Sequence, residues 1–222
     1  MSQQQVAIIG GTGSMGRGLA VRLARAGLEV VIGSRDAARG AAKAEELSAS
    51  LAPDQPAITG TDNATAAQAP IVILSVPFEA LEDNLAAIAE SAADSIIVSM
   101  VNPLGFDKQG PYPVSVPAGS VAQDIAQRIP TARVVSAFNT VASPVLNAVD
   151  EPVDEDVLVA GDDAEAVAAV VELADLLEGA RGVVVGALRL SSVLESLTPV
   201  LIGVNKRYRT HAGVRFSRLE TA

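Results

Sequence analysis

Residues 6–39 read VAIIGGTGSMGRGLAVRLARAGLEVVIGSRDAAR. Val6–Ile9 is a short, unbroken apolar run, as expected of a strand covered on both faces. Gly11, Thr12, Gly13, Ser14, Met15 and Gly16 have the spacing of a dinucleotide fingerprint. Its first glycine permits the tight turn, its second lets the backbone approach a pyrophosphate, and its third lets the next helix lie against the strand. A helix starting near Ser14 aims its free N–H groups and the positive end of its dipole at that phosphate. Leu19 and Leu23 give it an inward face, Gly27 ends it, and Glu29–Ile32 is the second strand. A glycine-rich turn alone is weak evidence. Here a strand precedes it, and a helix and second strand follow it, which makes it a nucleotide site.

The end of the second strand selects the nucleotide. An acidic residue there bonds a ribose 2′-OH, as in NAD sites, whereas a basic one meets a 2′-phosphate, as in NADP sites. This chain offers Ser34 and Arg35, then Arg39 a helical turn later. A hydroxyl and two guanidiniums converging there suit a phosphate. Asp36 is the competing NAD reading, but it follows the arginine and is better placed to cap the next helix. Arg39 has a second reading as part of a solvated helix face.

At 222 residues the chain holds one domain, or one with a small appendage. Every long apolar stretch is broken by Asp, Glu, Arg or Pro well before 18 residues, so no membrane span is expected. MSQQQ lacks a basic region and an apolar core, so no secretory signal is expected. Without cysteine there is no disulfide framework or thiolate metal site, and a cytoplasmic location is the expectation. A net charge of −10 argues against nucleic acid as a partner.

Strand-like and helical patterns alternate along the chain. Helices are expected at Asp36–Ser50, Asn63–Gln68, Phe78–Ala89, Ser120–Arg128, 163–178 and Leu190–Arg207, the last with Pro199 as a kink. Strands are expected at Ala57–Thr59, Ile71–Val76, Ile96–Ser99, Arg133–Ala137, Asp156–Ala160 and Gly182–Val185. Residues 102–118 read as a long irregular loop, and a loop of that length in a compact domain is usually functional. Asp162 to Glu165 resembles a capping box. The alternation predicts an α/β protein, a Rossmann-type doubly wound and mostly parallel sheet. Residues 1–188 would form the dinucleotide-binding domain and 189–222 a small helical C-terminal segment. Ligands of such sheets lie beyond the carboxyl ends of the strands. Here these ends include Val76, Pro77 and Phe78, then Val101 and Asn102, then Asn139, Thr140, Val141 and Ser143. Pro77 and Phe78 read equally as simple packing.

No acid–base pair stands out, so no catalytic side chain is assigned. The only histidine, His211, lies in the tail, and Lys108 in the long loop is a weak candidate base. Glu195, on an otherwise apolar helix face, reads as buried and structurally paired rather than catalytic. If the second substrate were itself a redox ring, hydride would pass directly, with the protein supplying orientation and exclusion of water. Asn102, Asn139 and Thr140 suit such a weakly polar pocket. Lys206, Arg207, Arg209, Arg215 and Arg218 make the tail basic, fit for an anionic ligand or for acidic surface on another subunit.

GGTGSMGRGLA (10–20), GSRDAAR (33–39), LSVPFEA (74–80), VVSAFNTV (134–141), VAGDD (159–163) and LESLTPVLI (194–202) resemble the F420-dependent NADP reductases. The resemblance implies reversible hydride exchange between NADP(H) and the deazaflavin coenzyme F420 by a homodimer. It places Thr12 to Met15 in the pyrophosphate turn, Ser34, Arg35 and Arg39 in the 2′-phosphate clamp, and Val76 and Pro77 beside ribose and ring. Phe138 to Ser143 would lie beside the stacked rings. The chain carries Asn139 where some members have histidine and Phe78 where some have tryptophan, and loop 102–118 differs in sequence and length. Two other readings stand beside this one: an NADPH-dependent reductase of an imine, ketone or ferric chelate, and a non-catalytic NADP-sensing protein.

Overall fold

The fold is taken from a computed structural model, which describes residues 5–219. Residues 1–4, on which the reading of the N-terminus rests in part, and residues 220–222 lie outside them. The first unit is β1 (Gln5–Ile9), α1 (Ser14–Arg25), β2 (Glu29–Ser34) and α2 (Ala37–Ser48). β3 (Thr59–Asp62), α3 (Asn63–Ala66), β4 (Ile71–Leu74), α4 (Leu81–Ile88) and β5 (Ile96–Ser99) follow. Then come β6 (Leu104–Asp107), β7 (Gly110–Pro113), α5 (Val121–Arg128), β8 (Arg133–Ser136) and α6 (Ser143–Asn147). β9 (Asp156–Gly161), α7 (Ala164–Asp175), β10 (Arg181–Gly186) and α8 (Ser191–Tyr208) complete the chain.

Eight strands form one sheet in the order β10-β9-β8-β5-β4-β1-β2-β3. All neighbours are parallel except β8 and β9, so the last two strands run against the other six. The strand order reverses between β1 and β4, and a crevice opens there beyond their carboxyl ends. The apolar strands serve two cores, because alternate side chains leave opposite faces. Val6, Ile8, Ile71 and Ile73 pack with Leu19 and Leu23 of α1 and Val167 and Val170 of α7. Ala7, Ile9, Val72 and Leu74 pack with Leu85 and Ile88 of α4 and Val121 and Ile125 of α5. A third, small cluster seats Leu194 of α8 on Leu158 and Ala160 of β9.

Four sequence expectations need correction. The stretch 102–118 is not all irregular: β6 and β7 pair antiparallel as a hairpin. The prolines at 111 and 113 disguised it, yet a two-stranded edge tolerates them because few N–H groups must be paired. Lys108 sits exposed in the hairpin's turn. The third strand lies at Thr59–Asp62 rather than 57–59, and its polar sequence TGTD hides an edge position against β2. α7 is capped by Asp163, whose side chain accepts from the Ala166 N–H at 2.8 Å. Asp162 instead accepts from Leu188 N–H, so the capping box is absent. α6 went unread because only five residues form it.

Glu195 is buried, and its carboxylate accepts from the N–H groups of Val121 and Ala122 at 2.9 and 3.2 Å. It therefore caps α5 from α8, as the structural reading expects. Burial nevertheless pushes its carboxyl up to about 7. Such a group holds its proton in the folded state up to that pH, but only to about 4.3 when unfolded. Its contribution is therefore lost as pH rises from about 4.5 to 7. The urea midpoint of the protein is expected to be lower at pH 8 than at pH 5, with Glu195→Gln shrinking the difference. A midpoint that rises over that interval would contradict this assignment.

Candidate functional site

The glycine turn is built by close approach. Gly10 has φ +84°, and a Cβ there would overlap the Ser75 carbonyl at the end of β4. A Cβ at Gly16 would fall 2.7 Å from Gly11 Cα and 2.8 Å from the Gly10 carbonyl. α1 is thereby pressed onto the turn. Its N-cap, Gly13, offers no side-chain cap, and its first turn carries no acidic residue. The first N–H groups and the positive dipole end are left for an anion, which fits a pyrophosphate.

Two contiguous clefts lie over the strand ends and share Gly13, Ser75, Val76 and Pro77. The smaller, about 210 Å³, is lined by Thr12, Ser34, Arg35 and Arg39, with Asn63 and Asn84 alongside. Ser34 is buried at the end of β2, while Arg35 and Arg39 are exposed and form no ion pair among the described residues. Asp36 caps α2, accepting from the Arg39 N–H at 2.8 Å. Its carboxylate is thus committed to the helix, while the two guanidiniums are left without a carboxylate partner among the described residues.

The larger cleft, about 700 Å³, is lined by Ser14, Met15, Asn102, Asn139, Val141 and Ser143. Met100, Thr198, Ile202, Lys206 and His211 also contribute to it. Its far wall depends on a strained turn after β8. Phe138 is fully buried with φ +62°, a left-handed conformation that costs a non-glycine residue on the order of 1 kcal/mol. The cost is offset by a bonded network. Asn102 Nδ2 donates to the Asn139 carbonyl at 2.9 Å, and Thr198 Oγ1 donates to the same carbonyl at 3.0 Å. Ser136 Oγ donates to Asn139 Oδ1 at 3.0 Å. α8 is in this way fastened to the turn.

The wall continues into α6, which is held by Arg22. This guanidinium is only 6% exposed and donates to the carbonyls of Val145, Leu146, Ala148 and Glu151 at 2.7–2.9 Å. Burial lowers its pKa from the ordinary arginine value, while four carbonyls of α6 and the stretch just after it satisfy its charge. Gly18 lets α6 come close, since a Cβ there would sit 2.8 Å from the Leu146 backbone.

Most of the residues singled out from the sequence line these clefts. Gly11 and Gly16 instead shape the turn from behind. Val101 and Thr140 are buried behind the surface, and Phe78 packs on the core, so none of the three lines a cleft. His211 and Lys206, set aside or read only as tail charge, do line the larger one. Their spacing at the end of α8 carried no signal, because the fold of the tail decides where they point. Arg215, by contrast, pairs with Asp154 at 2.6 Å within the chain.

Glycine turn, basic strand end and cleft at the reversal of strand order place the chain in the Rossmann class of folds, with the geometry of a candidate dinucleotide site. Residues 5–103 match the family model described as NADP oxidoreductase, coenzyme F420-dependent. The chain is 38% identical to the F420-dependent NADP reductase of Methanocaldococcus jannaschii, across 97% of this chain and 99% of that one. It is 37% identical to that of Methanothermobacter thermautotrophicus, across 97% and 95%. The chain belongs to the F420-dependent NADP reductase family. The crystal structure of a candidate F420-dependent NADP-reductase from Arthrobacter sp. FB24 superposes with a TM-score of 0.81 at 30% identity, covering 97% of this chain and all of that one. An imine reductase of Aspergillus terreus has the same fold at 22% identity, with a TM-score of 0.63.

Proposed function

We infer that the protein transfers a hydride between NADP(H) and coenzyme F420. One observation carries the reading: the two clefts meet side by side at the strand ends, one closed by Ser34, Arg35 and Arg39, the other broad and largely apolar. The first suits the adenosine half of NADP. The second has room for two stacked rings, and typical ligand pockets span about 300–1,000 Å³.

When both substrates are bound, the dihydronicotinamide supplies a hydride and the deazaflavin ring accepts it. Every other contribution is the chain's own. The α1 N-terminus with Thr12 to Met15 holds the pyrophosphate, and Ser34, Arg35 and Arg39 hold the 2′-phosphate. Val76 and Pro77 wall the ribose side. Asn139, Val141 and Ser143, fixed by Asn102, Thr198 and Arg22, orient the rings and exclude water. Proximity of this kind supplies a large share of a transfer barrier without any proton-shuttling side chain. Lys206 and His211 on the same cleft are the observation favouring a reductase of imines or ketones, which needs a proton donor.

Residues 1–188 act as the nucleotide-binding domain in this reading, and 189–222 complete the F420 site and the dimer. A homodimer is supported by the exposed apolar stripe of Val193, Val200 and Tyr208 along α8. No helix among the described residues is long and apolar enough to cross a membrane. A chain free of cysteine has no need of an oxidising compartment, which supports a cytoplasmic place.

Mixed with NADPH and oxidised F420, the protein is expected to bleach the deazaflavin absorbance while leaving ketones and imines untouched. Binding of NADPH without turnover would favour a sensor instead. Arg35→Ala and Ser34→Ala are each expected to raise the KM for NADPH by about 10- to 100-fold, the equivalent of a charged hydrogen bond of about 1.5–3 kcal/mol, with little change for NADH. Equal changes for both cofactors would displace the 2′-phosphate from this site.

A further inference from the structure

Beyond α8 the chain runs without regular structure over residues 210–219 and is held down at a few points. Asn205 anchors its start, Oδ1 accepting from the Ala212 N–H at 2.7 Å. The Asp156 N–H donates to the Val214 carbonyl, and the Phe216 N–H donates to the buried Asp156 carboxylate at 2.6 Å. Arg181 bonds that carboxylate through Nε and Nη2, at 2.8 Å each, and donates to the carbonyls of Phe216 and Leu219. The start of the same segment supplies Thr210 and His211 to the large cleft.

Between these anchors lies one misfit. Glu155 is 4% exposed, and its Oε2 has no partner among the described residues. Its carboxyl lies against Gly213, where any Cβ would overlap it. The charged groups around it give no relief. Arg181 is committed to Asp156 and Arg215 to Asp154, while Glu178 meets this stretch through its backbone carbonyl alone. Burial, joined by the repulsion of Asp154, the remaining charge beside it, pushes the Glu155 carboxyl up to about 7.

We propose that residues 210–219 are a detachable strap over the outer end of the cleft, and that loss of the Glu155 proton to solvent releases it. The strap closes over a neutral carboxyl. An ionised one leaves Oε2 with neither hydrogen-bond donor nor counter-charge among the described residues in the closed form, and gains water when the strap lifts. A carboxyl freed to solvent titrates near 4.3. The closed form is therefore favoured most below about pH 4.5, loses that advantage up to pH 7, and stays weakened above it. Its lifting removes Thr210 and His211 from the cleft and leaves Ser34, Arg35 and Arg39 untouched. Only this consequence for turnover rests on the F420 reading.

Amide hydrogen exchange of 210–219, normalised to intrinsic rates, tests the strap itself. Protection in the wild type is expected to fall by about 10- to 100-fold from pH 5 to pH 8, and Glu155→Gln is expected to hold it constant. Gly213→Ala, which must displace the same carboxyl, is expected to expose the strap at both pH values and serves if the glutamine variant does not fold. In turnover, the wild-type KM for F420 should rise over the same interval while the Kd of 2′,5′-ADP stays level. Equal wild-type protection at pH 5 and 8, or an unchanged fall in Glu155→Gln, would overturn the proposal. A failure of F420 turnover alone would overturn the functional reading and leave the strap standing.

Discussion

The molecule depends on one close approach, the seating of α1 on the turn that leaves β1 beside the end of β4. The carbonyl of Ser75 and the backbone of Gly10 and Gly11 occupy the space that side chains at Gly10 and Gly16 would fill. That contact brings a helix N-terminus, bare of any cap, to the place where the strand order reverses. An anion is then met by fixed N–H groups that need no rearrangement, which is how a static scaffold fixes one end of a long cofactor. Everything else in the site is measured from this end. The basic β2 terminus lies on one side, and the apolar cleft on the other.

The second end is fixed less by regular structure than by buried polar groups. Phe138 holds an unfavourable backbone angle, and Asn139 is bonded from three directions by Ser136, Asn102 and Thr198. Arg22 gathers the carbonyls at the end of α6. Satisfied networks of this sort specify one arrangement, because breaking any member leaves a costly unpaired group. Rigidity here suits a reaction in which two rings need only be held in register. The tail is built differently, with exposed cations and an uncompensated carboxyl, and that contrast separates a fixed wall from a movable one.

How much of this was legible in the sequence follows from the range of each interaction. The strands β1, β4, β5 and β8, the glycine turn and the Asp36 cap are local patterns of apolar runs and turn chemistry, and they read correctly. β3 and the β6–β7 hairpin did not, since edge strands tolerate Thr, Gly and Pro that a buried strand rejects. Ser34, Arg35 and Arg39 were readable because one strand and one helical turn bring them together. Arg22 was not: it looks like another surface arginine until α6 and the stretch just after it, over 120 residues later, place four carbonyls around it. His211 and Lys206 likewise reach the cleft only through the course of the tail. The orphan oxygen of Glu155 is a property of tertiary packing and leaves no trace in the sequence.

The central claim is that two rings are held face to face and the hydride never visits water or a side chain. Deuterium placed on the transferred position of NADPH, with the reaction run in ordinary water and the reduced deazaflavin examined by mass spectrometry, tests it directly. Retention of essentially one deuterium per molecule of F420 reduced is the predicted result. Appearance of the label in the solvent, with an unlabelled product, would contradict the account.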